Sequence, residues 1–284
     1  MITLSQNGSG YNSVSDVKQL LIQWRELIDK KLEELIESDY EGKAIEVGKY
    51  ILMDGKRLRG SLAIMVATAL GGTVRDALPA ALALEMVHAA SLSIDDIIDE
   101  DEVRRGKPSA WIAYGVRNTV MVSNLLIPHA ILLIKTYGIK AITKVVEVWK
   151  LISKGEIWDV YGPPSRSDVW SDYLKVVEAK TASLFALSTY LGALAAGRED
   201  LIDVSWNYGM YLGIAYQMAD DLGDMDKDVG FSGTVFKEIV KKFGLEGVRK
   251  KIWEFVDRAE ELGRIMGKPL DEFPRLSIAL LLEK

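Results

Sequence analysis

The stretch Asp76–Asp99, DALPAALALEMVHAASLSIDDIID, decides the fold. Its apolar residues recur at helical spacing, and it closes on the pattern DDxxD, Asp95-Asp96-Ile97-Ile98-Asp99. Side chains four apart on a helix share one face, so Asp95 and Asp99 project together. Like charges at that spacing repel. A helix C-terminus disfavours anions by up to about 1 kcal/mol each. A bound cation removes both costs. The pattern recurs as Asp220-Asp221-Leu222-Gly223-Asp224, at the end of a second long apolar stretch. Carboxylates are hard oxygen ligands, and one or two per site, completed by water and phosphate, suit Mg²⁺ better than Zn²⁺. A calcium loop starting at Asp224 fails, because its sixth and twelfth residues are Val229 and Val235 where Gly and Glu are needed.

Outward from these motifs almost everything reads as helix. Val17, Leu20, Leu21, Trp24, Leu27, Ile28 and Leu35 give a first amphipathic helix that Ser13 or Ser15 could cap. Further helices are expected over Tyr40–Met53, Lys56–Leu70, Ser109–Tyr114, Asn118–Tyr137, Ile139–Val160, Val169–Leu187, Leu187–Ala196, Leu201–Asp224, Val235–Phe243 and Leu245–Met266. Asp101–Lys107 is a charged connection, and no alternating run suggests a sheet. The fold class is all-α, a single-domain helical bundle over residues 15–284, with Met1–Val14 a flexible N-terminal arm.

The 284 residues are 49% hydrophobic, ample for a large core, and contain no cysteine. Disulfides, thiol nucleophiles and Cys-based zinc sites are therefore excluded. A net charge of −6 argues against nucleic-acid binding. The N-terminus lacks the regions of a signal peptide, and a cytoplasmic location is expected. The uncharged runs Asn118–Ile134, Thr181–Gly197 and Val204–Ala219 fall short of the ~20 apolar residues of a spanning helix. No transmembrane segment is expected.

Cations accompany the acids. Gly55-Lys56-Arg57-Leu58-Arg59-Gly60 is a basic segment at a helix start, with Lys56 and Arg59 three apart on one face and free backbone N–H groups nearby. Arg104-Arg105 follows the first acidic motif, and arginine forks suit phosphate oxygens. His88 lies two helical turns before Asp95, on the face leading to it. His129, in an apolar run, reads as structural. Lys180-Thr181 sits at a polar-to-apolar boundary, and Gln217 shares a face with Asp220. Two Mg²⁺-binding faces with several cations imply a diphosphate clamp. An apolar helical interior implies a greasy substrate tail. No catalytic triad and no GxxxxGK[ST] loop is present.

From about Tyr40 to Lys237 this set of motifs resembles the trans-polyprenyl (isoprenyl) diphosphate synthase family. The matching features are Gly55–Arg59, His88, Asp95–Asp99, Arg104-Arg105-Gly106, Lys180-Thr181 and Tyr216–Asp224. Within the family the pattern is closest to archaeal enzymes of the hexaprenyl type. The resemblance implies a bundle with a deep central cavity and a homodimer, with Asn118–Ile134 as an interface helix. It implies Mg²⁺, three ions per site, held by Asp95, Asp99 and Asp220, with Asp96, Asp221 and Asp224 in support. It places Arg104 and Lys180 on the allylic diphosphate, and Lys56, Arg59, His88 and Arg105 on isopentenyl diphosphate. Thr181 and Gln217 would line the reaction centre. Transient membrane contact would serve product release.

The chain departs from the family at Asp54-Gly55, Gly60, Ser123-Asn124, Gly155-Glu156 and Gly233-Thr234, leaving Lys227 and Lys237 as alternatives for the late lysine. Family members with short products place an aromatic ring just before the first acidic motif. Here Ala90 and Ser91 stand there, with Val87, Met86 and Ala83 deeper. A product longer than C20, with C30 favoured, is expected; geranylgeranyl and geranylfarnesyl products are the alternatives. A class I terpene cyclase would need no second diphosphate site, and a non-catalytic synthase subunit would not keep both acidic motifs.

Overall fold

The computed structural model describes residues 14–164, 168–225 and 230–283. The expected arm up to residue 13 and Lys227 lie outside them. Twelve α-helices are described. They are α1 (Val14–Asp39), α2 (Lys43–Leu52), α3 (Leu58–Ala69), α4 (Val74–Ile98), α5 (Ala110–Tyr114), α6 (Val116–Leu133), α7 (Ile139–Tyr161), α8 (Val169–Val177), α9 (Ser183–Ala195), α10 (Ile202–Gly223), α11 (Phe231–Met266) and α12 (Phe273–Leu282). A two-residue hairpin, β1 (Val103–Arg104) with β2 (Lys107–Pro108), stands in the charged connection.

The interior is helix on helix. Leu62–Ala67 of α3 and Ser183–Ala193 of α9 are buried on every side, the mark of central helices. The outer helices are amphipathic: α1 buries Val17, Trp24, Ile28, Leu32 and Ile36 at spacings of seven and four. Thr73 starts α4 with a reciprocal cap, its Oγ1 accepting from the Asp76 N–H at 3.2 Å while Asp76 accepts from the Thr73 N–H at 3.0 Å. Ala77, Ala80, Ala81 and Ala83 then let α4 lie close against α3 and α6. A second apolar cluster, including Tyr173, Ile214, Phe236, Val256 and Ile278, ties α8, α10, α11 and α12 together.

Three local expectations are corrected. The helix expected over Val169–Leu187 is broken by a π-helical turn at Glu178–Ala182. The expected break between Val235–Phe243 and Leu245–Met266 stands, since Gly244, at φ 70° and ψ 164°, is non-helical and kinks α11 there. The charged connection contains the hairpin, and α12, starting at Phe273-Pro274, has no counterpart among the expected helices. Two helices, Val74–Ile98 and Val116–Tyr137, are long and apolar enough by composition to cross a bilayer; two-thirds (67%) of the α4 window is buried in the bundle.

Candidate active site

The two acidic motifs end α4 and α10, and the π turn between α8 and α9 joins them. A π turn adds one residue to the helical repeat. Lys180 and Thr181, adjacent in that turn, thereby reach opposite ways. Lys180 Nζ lies 3.2 Å from Asp95, 2.9 Å from Glu156 and 2.9 Å from Asp159. Thr181 Oγ1 donates to Gln217 Oε1 at 2.8 Å, and Gln217 Nε2 donates to Asp221 at 2.6 Å. The turn is seated between two glycines. A Cβ on Gly155 of α7 would lie 2.6 Å from the Lys180 nitrogen, and one on Gly213 of α10 would lie 2.6 Å from the Ala182 Cα. No side chain fits at either position.

Charge follows from this seating. Burial would lower Lys180, but Asp159, Asp95 and Glu156 outweigh it and hold the ammonium above its ordinary range. Burial, and then the neighbouring Asp95, push Glu156 up to about 8 against the pull of Lys180. Burial would also raise Asp159, but Lys180 and Ser232 hold it below the usual carboxylate range. Burial and Asp95 raise Asp99.

In the second motif Asp221 is buried and accepts from the Tyr173 hydroxyl at 2.5 Å as well as from Gln217. Asp220 is exposed, and Asp224 is half-buried. In the first motif Asp96 is buried and accepts from Arg104 Nε at 2.6 Å; Arg104 also reaches Asp101 at 3.2 Å. Burial would lower Arg104, but its bonds to Asp96 hold it above its usual value. Each motif therefore turns one aspartate inward and leaves the flanking pair, Asp95 with Asp99 or Asp220 with Asp224, less enclosed. Among the described residues no three acidic or histidine side chains converge into a closed metal cage. Open pairs of carboxylates fit a Mg²⁺ ion completed by water and substrate phosphate.

The basic segment is only partly assembled as its spacing suggested. Arg57 adopts φ 53°, a left-handed turn that separates exposed Lys56 from Arg59, so the two do not share a helix face. Arg57 is buried and structural, its Nε donating to Asp29 at 2.6 Å with Glu85 at 3.6 Å. Of the backbone N–H groups at the start of α3, that of Gly60 donates to Glu85 at 2.8 Å. Arg59 Nη1 lies 3.0 Å from His88 Nε2, with its guanidinium 4.7 Å over the Phe185 ring. Burial and then Arg59 push His88 well below its ordinary value, so the neutral ring accepts from Arg59. Arg105 is exposed and donates to the Met53 carbonyl at 2.7 Å. A small open cleft between α2, α4 and the hairpin is lined by Arg104, Arg105 and Lys107 among others.

Ala90 and Val87 are buried on α4, and Ser91 is half-buried, its hydroxyl donating to the His88 carbonyl at 2.8 Å. Ser123, one of the departures, pairs with Ser93 at 2.7 Å between α6 and α4. His129 lies 3.5 Å from Asp39 and against the Tyr40 ring, away from both motifs. Lys237 is exposed near the start of α11. Sequence reasoning passed over Glu156, Asp159 and Tyr173. Glu156 was visible only as a departure, and the acidic spacing of Glu156 and Asp159 on α7 was the available signal.

The family model for polyprenyl synthetases matches residues 43–237. The hexaprenyl pyrophosphate synthase of Saccharolobus solfataricus is 38% identical over 83% of each chain. A geranylgeranyl pyrophosphate synthase of Geoglobus acetivorans is 32% identical over 74% of this chain and 68% of its own. Among solved structures, a decaprenyl diphosphate synthase of Rhodobacter capsulatus superimposes with a TM-score of 0.81 at 22% identity, covering 95% of this chain and 98% of its own, a likeness of fold. With an all-α bundle that brings two DDxxD helix ends to one π turn, the chain belongs to the polyprenyl synthetase family of prenyltransferases.

Proposed function

We propose that this protein condenses isopentenyl diphosphate with an allylic diphosphate, head to tail, to give an all-trans polyprenyl diphosphate longer than C20, with C30 as the favoured length. The observation that carries this is the π turn from which Lys180 contacts Asp95 of the first acidic motif and Thr181 reaches Asp221 of the second through Gln217. Asp95, Asp99 and Asp220 would hold Mg²⁺, three ions in the full site, with Asp96, Asp221 and Asp224 in support. The bound metal neutralises charge on the departing diphosphate.

The residues divide the remaining work. Lys180 and Arg104 face the allylic diphosphate and stabilise it as the allylic C–O bond breaks, leaving a delocalised cation. Lys56, Arg59, His88 and Arg105 hold isopentenyl diphosphate, with neutral His88 orienting Arg59. The double bond of isopentenyl diphosphate attacks the cation, forming the new C–C bond. A proton then leaves to the released diphosphate, so no protein base is required. Thr181 and Gln217 border the reaction centre, and the apolar wall keeps water from the cation. The growing tail follows α4 past Ala90, Val87 and Ala83. The 38% identity to a hexaprenyl synthase and the small side chains at these positions support C30 over the shorter products of other relatives.

Asp95→Ala and Asp220→Ala test this reading. Asp220 is exposed and Asp95 sits in a polar cluster, so the fold should survive either change. Turnover should fall by about three orders of magnitude or more, as when electrostatic support of a leaving group is removed. Chelation by EDTA should reproduce the loss. Near-normal turnover in either variant, with metal still required, would refute the assignment of the two motifs.

A further inference from the structure

Asp159 on α7 has no part in the roles above, yet it accepts three hydrogen bonds at the edge of the site. Its two carboxylate oxygens are divided between two elements. Oδ2 accepts from Lys180 Nζ at 2.9 Å. Oδ1 accepts from the Ser232 backbone N–H at 2.8 Å and from Ser232 Oγ at 2.6 Å. The side chain is only 12% exposed.

The second contact meets a need of α11. The first N–H groups of a helix have no partner within the helix and are ordinarily capped by the residue before it. That residue is Gly230, which has no side chain to offer. Asp159 supplies the missing acceptor from another helix, at the end where the helix dipole favours an anion. Gly230 also makes room for it, since a Cβ there would lie 3.0 Å from Asp159 Oδ1. One carboxylate is thus both the cap of α11 and a partner of the lysine that touches Asp95.

We propose that Asp159 is a positioning residue, a joint that fixes the start of α11 to Lys180 and so to the allylic diphosphate site. The kinetic part of this rests on the proposed role of Lys180; the structural part does not. Lys237, near the start of α11, is positioned by the same joint.

Two measurements test it on the full-length protein. The first is amide hydrogen exchange of the segment containing Ser232. Asp159→Asn keeps the shape of the side chain but turns an amide toward the Lys180 ammonium, and Ser232→Ala removes only the hydroxyl arm. Exchange of the Ser232 amide should accelerate by about tenfold or more in Asp159→Asn, in line with loss of one hydrogen bond to a charged group. It should also accelerate in Lys180→Ala, because the joint loses its other anchor. Unchanged exchange in Asp159→Asn, or acceleration there with none in Lys180→Ala, would overturn the joint.

The second measurement is kinetic. In Asp159→Asn and in the milder Ser232→Ala, KM for the allylic diphosphate should rise by about tenfold and about threefold respectively, with KM for isopentenyl diphosphate changing less than either. Equal changes in both KM values, or a fall in kcat alone, would overturn it. If the wild type shows no saturable dependence on an allylic diphosphate, the synthase assignment fails, and the exchange rates still decide whether Asp159 is the joint.

Discussion

Glu156 carries the most distinctive electrostatics of any single residue in the site. Its carboxyl stands 2.9 Å from Lys180 and beside Asp95, and burial together with Asp95 pushes it up to about 8 from an ordinary 4.5. Between those values the folded protein holds a proton that the unfolded chain has released. Stability therefore falls as pH rises through that window. Glu156→Gln keeps the shape without the charge. The decline in Tm between about pH 5 and pH 8 should be smaller in Glu156→Gln than in the wild type, measured by calorimetry under identical buffers. Superimposable Tm–pH curves would show an ordinary glutamate. The sequence disclosed the site at this scale unevenly. Aspartates four apart on an apolar helix state their own purpose. Glu156 is legible only as an odd residue, because the lysine that gives it meaning is distant in the chain. Arg57 shows the reverse: it sits in a basic run yet is consumed by half-exposed Asp29 and buried Glu85.

Among the elements, α4 was readable over most of its length, since its apolar period and its terminal acids are local signals; the cap at Thr73 went unread, and the helix starts at Val74, before the expected Asp76. The π turn was not. One extra residue in a helix leaves the apolar pattern on either side intact, so Val169–Leu187 reads as continuous. What seats the turn is the absence of side chains at Gly155 and Gly213, on two other helices. The cap of α11 is hidden for a similar reason, because its acceptor comes from α7. The tail path belongs to this scale too. Ala90 is fully buried on α4. Ala90→Phe should shorten the products toward C15–C20 while largely keeping the first condensation. It should cost about 1–3 kcal/mol of stability through overpacking. Unchanged product lengths would show that the tail does not pass Ala90, whether or not the synthase assignment stands.

At the scale of the whole molecule, several large apolar side chains among the described residues stand exposed, and α6 carries five of them. On α6, Val116, Val120, Met121, Leu125 and Leu132 are exposed, Met121 at 63% and Leu132 at 60%. Large apolar side chains left exposed along one helix point to an interaction surface. We propose a homodimer joined through α6. Light scattering should give about twice the 31.5 kDa chain mass, and Met121→Glu with Leu125→Glu should shift it toward the single-chain value. An active wild type that scatters as a 31.5 kDa particle would refute the dimer.

The proposed chemistry itself is tested most directly by sizing what the protein makes. The purified chain would be incubated with Mg²⁺, labelled isopentenyl diphosphate and an allylic diphosphate primer, and the products separated by length after removal of the diphosphate. Label should appear in a ladder of all-trans prenyl alcohols ending near C30, and should vanish with EDTA or without primer. Absence of any metal-dependent incorporation, or conversion of the allylic primer alone into a cyclic hydrocarbon, would contradict the assignment of this protein as a chain-elongating prenyltransferase.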